Sequence, residues 1–237
     1  MVTLYAFGPF LGTPDSSPFV IKTMMLLKLA GIAFETKPGN PLTAPLGLLP
    51  YIDDDGIRVA DSTFIRRHIE SKYQFDFDAS LDAAQKAVAW SLERLCEDHL
   101  YFALLRARWL DPVTFHQGLG RHMFGRIPAA IRPLVKTVLR RGNVQRLRGH
   151  GLGRLTDEQV DYVASRDIHA LAAILADKPY LMGTVPCGAD ATVFGALTAL
   201  LTPPLDTRLR SVACGHENLV AYCARVSRHF FRVLPTP

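Results

Sequence analysis

The chain has few cysteines, no pair of them in C-x-x-C spacing, and no apolar run long enough to cross a bilayer. Each absence excludes something. Cys96, Cys187, Cys214 and Cys223 are too sparse for a secreted disulfide scaffold and too scattered for a dithiol redox centre. A reduced cytosolic protein with buried thiols is expected. The longest apolar run, 191–201, is stopped by Pro203-Pro204 and is too short for a membrane span. Met1-Val2-Thr3-Leu4 lacks the basic segment of a secretory leader, so none is expected. No P-loop, nucleophile elbow or G-x-G-x-x-G after a strand occurs, and no His, Cys and Asp cluster has metal-ligand spacing. Neither a bound metal nor specific nucleic-acid binding is expected.

Acidic residues are also missing from 113–155, which carries Arg121, Arg126, Arg132, Lys136, Arg140, Arg141, Arg146, Arg148 and Arg154. Such a block marks either an anionic partner, a lipid surface or nucleic acid, or a plain solvated helix face. It also accounts for a net charge of +5.

What is present fits a globular chain with a full core. The 237 residues are 49% hydrophobic and 21% charged, enough for one large domain or two small ones. Residues 2–7 are rich in strand formers, and 8–15, with Pro9, Gly12 and Pro14, form a loop. From Pro18, Val20, Met24 and Leu27 recur at helical spacing up to Gly31, and 32–37 form a second strand. Tyr51-Ile52 and Ile57-Arg58-Val59 flank an Asp55-Gly56 hairpin signal, and 62–73 resume a helix. This β-α-β then β-β-α order is that of a thioredoxin-like α/β unit over 1–74. From 80 to 237 the pattern is all helical: one long helix over 81–109, a capping box at Thr156-Asp157-Glu158-Gln159, and helices at 190–201 and 218–230.

Ser16-Ser17 directly precedes Pro18, so a hydroxyl stands at a helix N-terminus where backbone N–H groups and the helix dipole stabilise an anion. The same placement also describes an ordinary N-cap.

Several stretches in order carry a family resemblance: Ser17-Pro18-Phe19, Leu29-Ala30-Gly31-Ile32, Ala44-Pro45-Leu46-Gly47, Leu49-Pro50-Tyr51-Ile52, Ala60-Asp61-Ser62-Thr63-Phe64-Ile65, then Lys178-Pro179-Tyr180-Leu181-Met182-Gly183 and Ala189-Asp190-Ala191-Thr192-Val193-Phe194. Together they resemble the glutathione S-transferase superfamily, in its failed-axon-connections and metaxin-related group. The resemblance implies a thioredoxin-like domain joined to an all-α domain, with glutathione as substrate and no metal. A homodimer is implied as well.

For the site, the resemblance implies that Ser17 stabilises the glutathione thiolate, with Ser16 as second candidate. Lowering a thiol pKa of ~8.5 by ~2 units takes about 2.7 kcal/mol of preference for the anion. A hydroxyl bonded to a charged acceptor gives roughly 1.5–3 kcal/mol and a helix terminus about 0.3–1 more. One serine is sufficient, but it cannot form a mixed disulfide, so thiol–disulfide exchange is excluded there. The resemblance further implies a cis bond at Leu49-Pro50, with Leu49 holding the cysteinyl part by its backbone. Asp61 and Ser62 would take the γ-glutamyl end. Lys37 and Arg66 stand either near the glycyl carboxylate or as surface charges, and Tyr5 reads as a sheet residue. Phe10, Tyr101, Arg108 and Trp109 are expected around an electrophilic, apolar co-substrate. Asp190 reads as a helix cap, with Cys187 in the place of the usual hydroxyl. The competing expectation is a non-catalytic, metaxin-like adaptor or membrane-peripheral protein that touches anionic lipid through the basic block.

Overall fold

The computed structural model describes residues 1–122, 124 and 127–231; Arg126 of the basic block, and the side chain of Arg121, lie outside what is described. A four-stranded sheet has the order β2-β1-β3-β4, from β1 (Val2–Ala6), β2 (Phe34–Pro38), β3 (Tyr51–Asp54) and β4 (Ile57–Ala60). β1 runs parallel to β2 and antiparallel to β3, with Leu4 opposite Ile52, and β3 pairs with β4, Ile52 opposite Val59. The parallel pair needs a crossover, which α1 (Pro18–Leu29) supplies. β2 starts two residues later than expected and ends on Pro38, which a sheet edge tolerates because it has no N–H to offer. Asp55 (φ 56°) and Gly56 (φ 82°) make the tight turn of the β3–β4 hairpin. α2 (Ser62–Tyr73) then packs back on the sheet through Ile65 and Ile69.

All later described elements are helices. The stretch expected as one helix is three pieces: α3 (Ala83–Arg94), a π-helical segment (Leu95–Leu100) and α4 (Tyr101–Trp109). The widened π turns carry Cys96, Glu97 and Leu100 inward, the usual sign of a local constraint that overrides the α pattern. Short helices α5 (Pro112–Gln117) and α6 (Leu119–His122) precede α7 (Arg132–His150), a helix the sequence pattern did not reveal. α8 (Asp157–Leu175) opens on the expected capping box: Gln159 N–H donates to Thr156 Oγ1 at 3.2 Å, and Gln159 Oε1 accepts from Thr156 N–H at 2.9 Å. α9 (Gly188–Leu201), α10 (Arg208–Cys214) and α11 (Glu217–Phe230) follow among the described residues.

Every residue of α9 is buried, as befits a helix apolar all round. It is the centre of the helical part and lies directly against α1. Asp190 is the third residue of α9 and, as expected, forms its capping box with Cys187 at the N-cap. Its carboxylate accepts from the N–H groups of Cys187 (2.8 Å) and Leu181 (3.1 Å) and from the Tyr222 hydroxyl (2.9 Å), so its role is structural. Cys96 and Cys187 are buried as expected, but Cys223 is half-buried and Cys214 is exposed.

Between the sheet-bearing part and the helices runs a buried charge network. Lys22 Nζ of α1 meets Glu93 Oε2 at 3.1 Å and Glu97 Oε1 at 2.7 Å, with Lys22 and Glu93 both almost fully buried. Arg66 of α2 reaches the same Glu93 at 2.7 Å and Asp78 at 2.5 Å, and Thr192 of α9 donates to Glu93 at 3.1 Å. Charges this deep are stable only when each finds its partners, so these bonds fix how the two parts meet.

Candidate functional site

A cavity of about 390 Å³ opens where the C-terminal edge of β1, the start of α1 and the cis-proline loop face α4 and α7. From the sheet side it is lined by Ser16, Ser17, Leu49, Pro50, Asp61 and Ser62. From the helical side come Tyr101, Arg108 and Trp109. All nine were singled out in the sequence, and the fold brings them to one wall-to-wall space. A crevice of about 20 Å³ beside it shares Pro18, Phe19, Tyr101 and Leu104 with this cavity; it is too small for a substrate.

Ser17 occupies the N-cap of α1, in extended backbone conformation (φ −100°, ψ 124°), with Pro18 at the first helical position. Its hydroxyl makes no capping hydrogen bond. Its N–H donates to Asp15 Oδ1 at 2.8 Å, and its carbonyl accepts from Ile21 N–H at 3.1 Å. The backbone is held on both sides while the side-chain oxygen is not consumed by the helix, unlike that of Thr156. Ser17 thus stands at the N-cap position without capping the helix through its side chain.

Asp15, which holds the Ser17 backbone from behind the cavity wall, was concealed in the sequence. It is fully buried, and it also accepts from Gly8 N–H at 2.6 Å, so it ties the end of the β1 loop to the start of α1. Burial pushes its carboxyl up to about 7, although the N–H groups of Ser17, Gly8 and Phe7 pull the other way. A single Asp in a Pro- and Gly-rich loop carries no sequence signal of such burial.

The Leu49–Pro50 bond is cis. The Leu49 side chain turns into the core, within what would be 2.6 Å of a Cβ on Gly39, which leaves its backbone to the cavity. Pro50 O accepts from Asp61 N–H at 3.3 Å, so the cis-proline segment and the α2 start are joined. Asp61 has a positive φ of 71°, unusual for a residue with a Cβ, and its carboxylate caps α2 by accepting from Thr63 N–H at 2.8 Å. Ser62 beside it is buried and lines the cavity.

Two expectations are corrected. Phe10 does not line the cavity: it is buried in a second core cluster with Leu105, Trp109, Phe115, Leu119, Phe124 and Leu147. A ring after Pro9 was equally able to turn either way, and burial among aromatics decided it. Arg66 is neither a surface charge nor a cavity residue but part of the buried charge network, whereas Lys37 is the surface charge of the second reading, paired with Glu35 at 2.7 Å. Tyr5 is a sheet residue as read, stacked on Tyr51 with ring centres 4.2 Å apart. The remaining cavity wall is largely apolar, with Phe19, Leu46, Leu48, Leu104, Leu105, Leu119 and Leu139, and includes Asn143 and Arg146 of α7.

The basic block has internal work. Arg140 donates to the carbonyls of Trp109 (3.0 Å) and Leu110 (2.8 Å), satisfying the C-terminus of α4. Lys136 lies over Phe124, and Arg146 over Tyr101 and Phe102. Among the described residues no ion pair joins Lys136, Arg140, Arg141, Arg146, Arg148 or Arg154 to an acid.

A thioredoxin-like sheet with a cis-proline, a helix N-terminus bearing a hydroxyl, and a helical cover over a largely apolar cavity define a two-part, thioredoxin-like and all-helical architecture. Comparison with known proteins agrees. Residues 18–114 match the glutathione S-transferase N-terminal domain and 164–226 the C-terminal domain. The chain is 32% identical, over 97% of its length and 99% of the relative's, to an isoprene-epoxide glutathione S-transferase of a Rhodococcus species. It is 28% identical over 84% of its length to Failed axon connections of Drosophila melanogaster, spanning half of that protein, and 25% identical over 79% to human Metaxin-2, spanning 72% of it. The apo structure of glutathione S-transferase III superposes with a TM-score of 0.61 at 20% identity, covering 100% of this chain and 98% of the other. This chain belongs to the glutathione S-transferase family, in the group shared with the metaxin-related proteins.

Proposed function

We propose that this protein is a glutathione transferase in which the Ser17 hydroxyl donates to the sulfur of bound glutathione and holds it as thiolate, ready to attack a small electrophile with an apolar body. The observation that carries this reading is the uncommitted hydroxyl of Ser17 at the mouth of α1, inside the cavity. Leu49 backbone groups beside the cis bond would take the cysteinyl unit. The buried Ser62 and the first N–H groups of α2 suit the γ-glutamyl carboxylate, with Asp61 beside its ammonium. Leu104, Leu105, Trp109 and Leu139 give the electrophile an apolar bed, and the chemistry needs no metal. Ser16 is the reserve donor. A cytoplasmic homodimer completes the proposal. Its support is the exposed pair Phe64 on α2 and Trp90 on α3, apolar rings that a second copy would cover. Isothermal titration tests the core of this reading: glutathione should bind one per chain, and S-methylglutathione, which has no thiol to ionise, more weakly at and above neutral pH.

A membrane-peripheral role has one observation in its favour. Ile131, Leu134 and Val138 are exposed on one face of α7 and the residue before it, in line with exposed Arg141 and Arg148. Retention on anionic liposomes that is lost at ~0.5 M salt, and in Leu134→Ser, would favour it.

A further inference from the structure

Arg108 is a buried cation that no acid accompanies among the described residues. It is 6% exposed, its Nη1 donates to Ser16 O at 3.1 Å, its Nη2 donates to Ala199 O, and its guanidinium lies over the Phe10 ring at 5.6 Å. Nε is buried without a partner, and among the described residues no carboxylate reaches this side chain. The contrast with Lys22 and Arg66 is direct, since each of those meets two or more carboxylates. Two carbonyls and a ring face solvate the fork only in part, and burial pulls its pKa down to about 10. Such a charge is best compensated by an anion that arrives in the adjoining space, and Arg108 lines the cavity while bonded to Ser16, the residue before Ser17.

We propose that Arg108 is the fixed counter-charge of the glutathione thiolate, acting through the field it sets up behind Ser16-Ser17 and not by contact. The inference rests on the transferase reading above. The thiol S–H bond breaks, its proton leaves to solvent, and the sulfur keeps the electron pair, now facing a cation that the fold has already desolvated. The other ionisable groups near that sulfur are few. Asp15 behind Ser17 and Asp61 at the cavity edge are negative when ionised and oppose the thiolate; Arg146 is an exposed cation on the far wall, with Tyr101 beside it. Arg108 is the cation among them that is both buried and bonded to the Ser16 carbonyl.

The test follows the ultraviolet absorbance of the thiolate in the bound complex against pH, with kcat/KM measured over the same range. In Arg108→Met the bound thiol should titrate about one unit higher than in the parent. Its kcat/KM should fall ~10-fold on the acid side and recover at high pH. Arg108→Lys, which keeps the charge but not the fork, should lie between. Loss of rate by the same factor at every pH, with the thiol pKa unmoved, overturns the proposal and leaves Arg108 a structural clamp. If the methionine variant does not fold, Ser17→Ala decides. A bound thiol still about one unit below its solution value supports the field of Arg108, and complete return to that value overturns it. Absence of any glutathione binding by the parent protein overturns the transferase reading itself, an outcome separate from binding with an unshifted thiol.

Discussion

Gly195 of α9 and Pro18 of α1 approach so closely that a Cβ on the glycine would lie 2.5 Å from the Pro18 carbonyl oxygen. The contact is backbone on backbone, so no side chain can swing aside to relieve it. It fixes the height at which α1, and with it Ser17, meets the helical part. Gly195→Ala should therefore destabilise by about 1–3 kcal/mol and lower conjugation activity as the start of α1 is pushed away. Gly142→Ala in α7, where nothing lies within 4 Å of the new methyl, should instead stabilise by roughly 0.5–1 kcal/mol. Denaturant melts of both variants check the pair; equal destabilisation would contradict the packing argument.

Asp15 makes stability depend on pH in a stated direction. Its carboxyl is raised from an ordinary 3.8 to about 7 in the folded chain, so the folded form holds a proton that the unfolded form has released. Stability from this residue is highest below pH ~4, falls as pH rises towards about 7, and levels off above. Inside that window the loss approaches ~1.4 kcal/mol per pH unit. Burial also raises Asp167 and Asp190, so the difference between the parent and Asp15→Asn, measured by thermal melts from pH 4 to 8, isolates the effect. The variant should show the flatter profile, and parallel profiles would contradict it.

Removing one member of the buried network leaves the others desolvated and short of a partner. Lys22→Met strips Glu93 and Glu97 of the cation that bridges them, although Arg66 and Arg94 remain. A loss of about 3 kcal/mol is expected. For a chain of this size that is a fall of roughly 6–12 °C in Tm. A change below about 1 °C would mean that the network contributes little to the junction of the two parts.

Much of this was legible in advance because local chemistry agreed with the tertiary result. Asp55-Gly56 demanded a tight hairpin turn, Thr156 with Gln159 a capped helix, and the runs around Val20 and Ile65 helical faces against a sheet. The site residues Ser17, Leu49, Pro50 and Ser62 were readable because each sits at a proline or a helix start. What stayed hidden depends on packing alone. α7 buries only Leu147 fully along its described length, so it shows no apolar period. The π-helical segment shifts hydrogen-bond partners without altering composition. Asp15 looks in the sequence like a surface charge and Arg108 like one wall of the co-substrate space; only the folded chain makes the first a buried acceptor and leaves the second, among the described residues, a cation without an acid.

The central claim, that the Ser17 hydroxyl holds the glutathione sulfur ionised, is tested most directly by steady-state conjugation at neutral pH with Ser17→Ala beside Ser16→Ala. If the Ser17 bond contributes about 2.7 kcal/mol, kcat/KM should drop ~10²-fold in the first variant while glutathione binding is nearly retained. The second should stay within a few-fold of the parent. Undiminished turnover in Ser17→Ala would contradict the account.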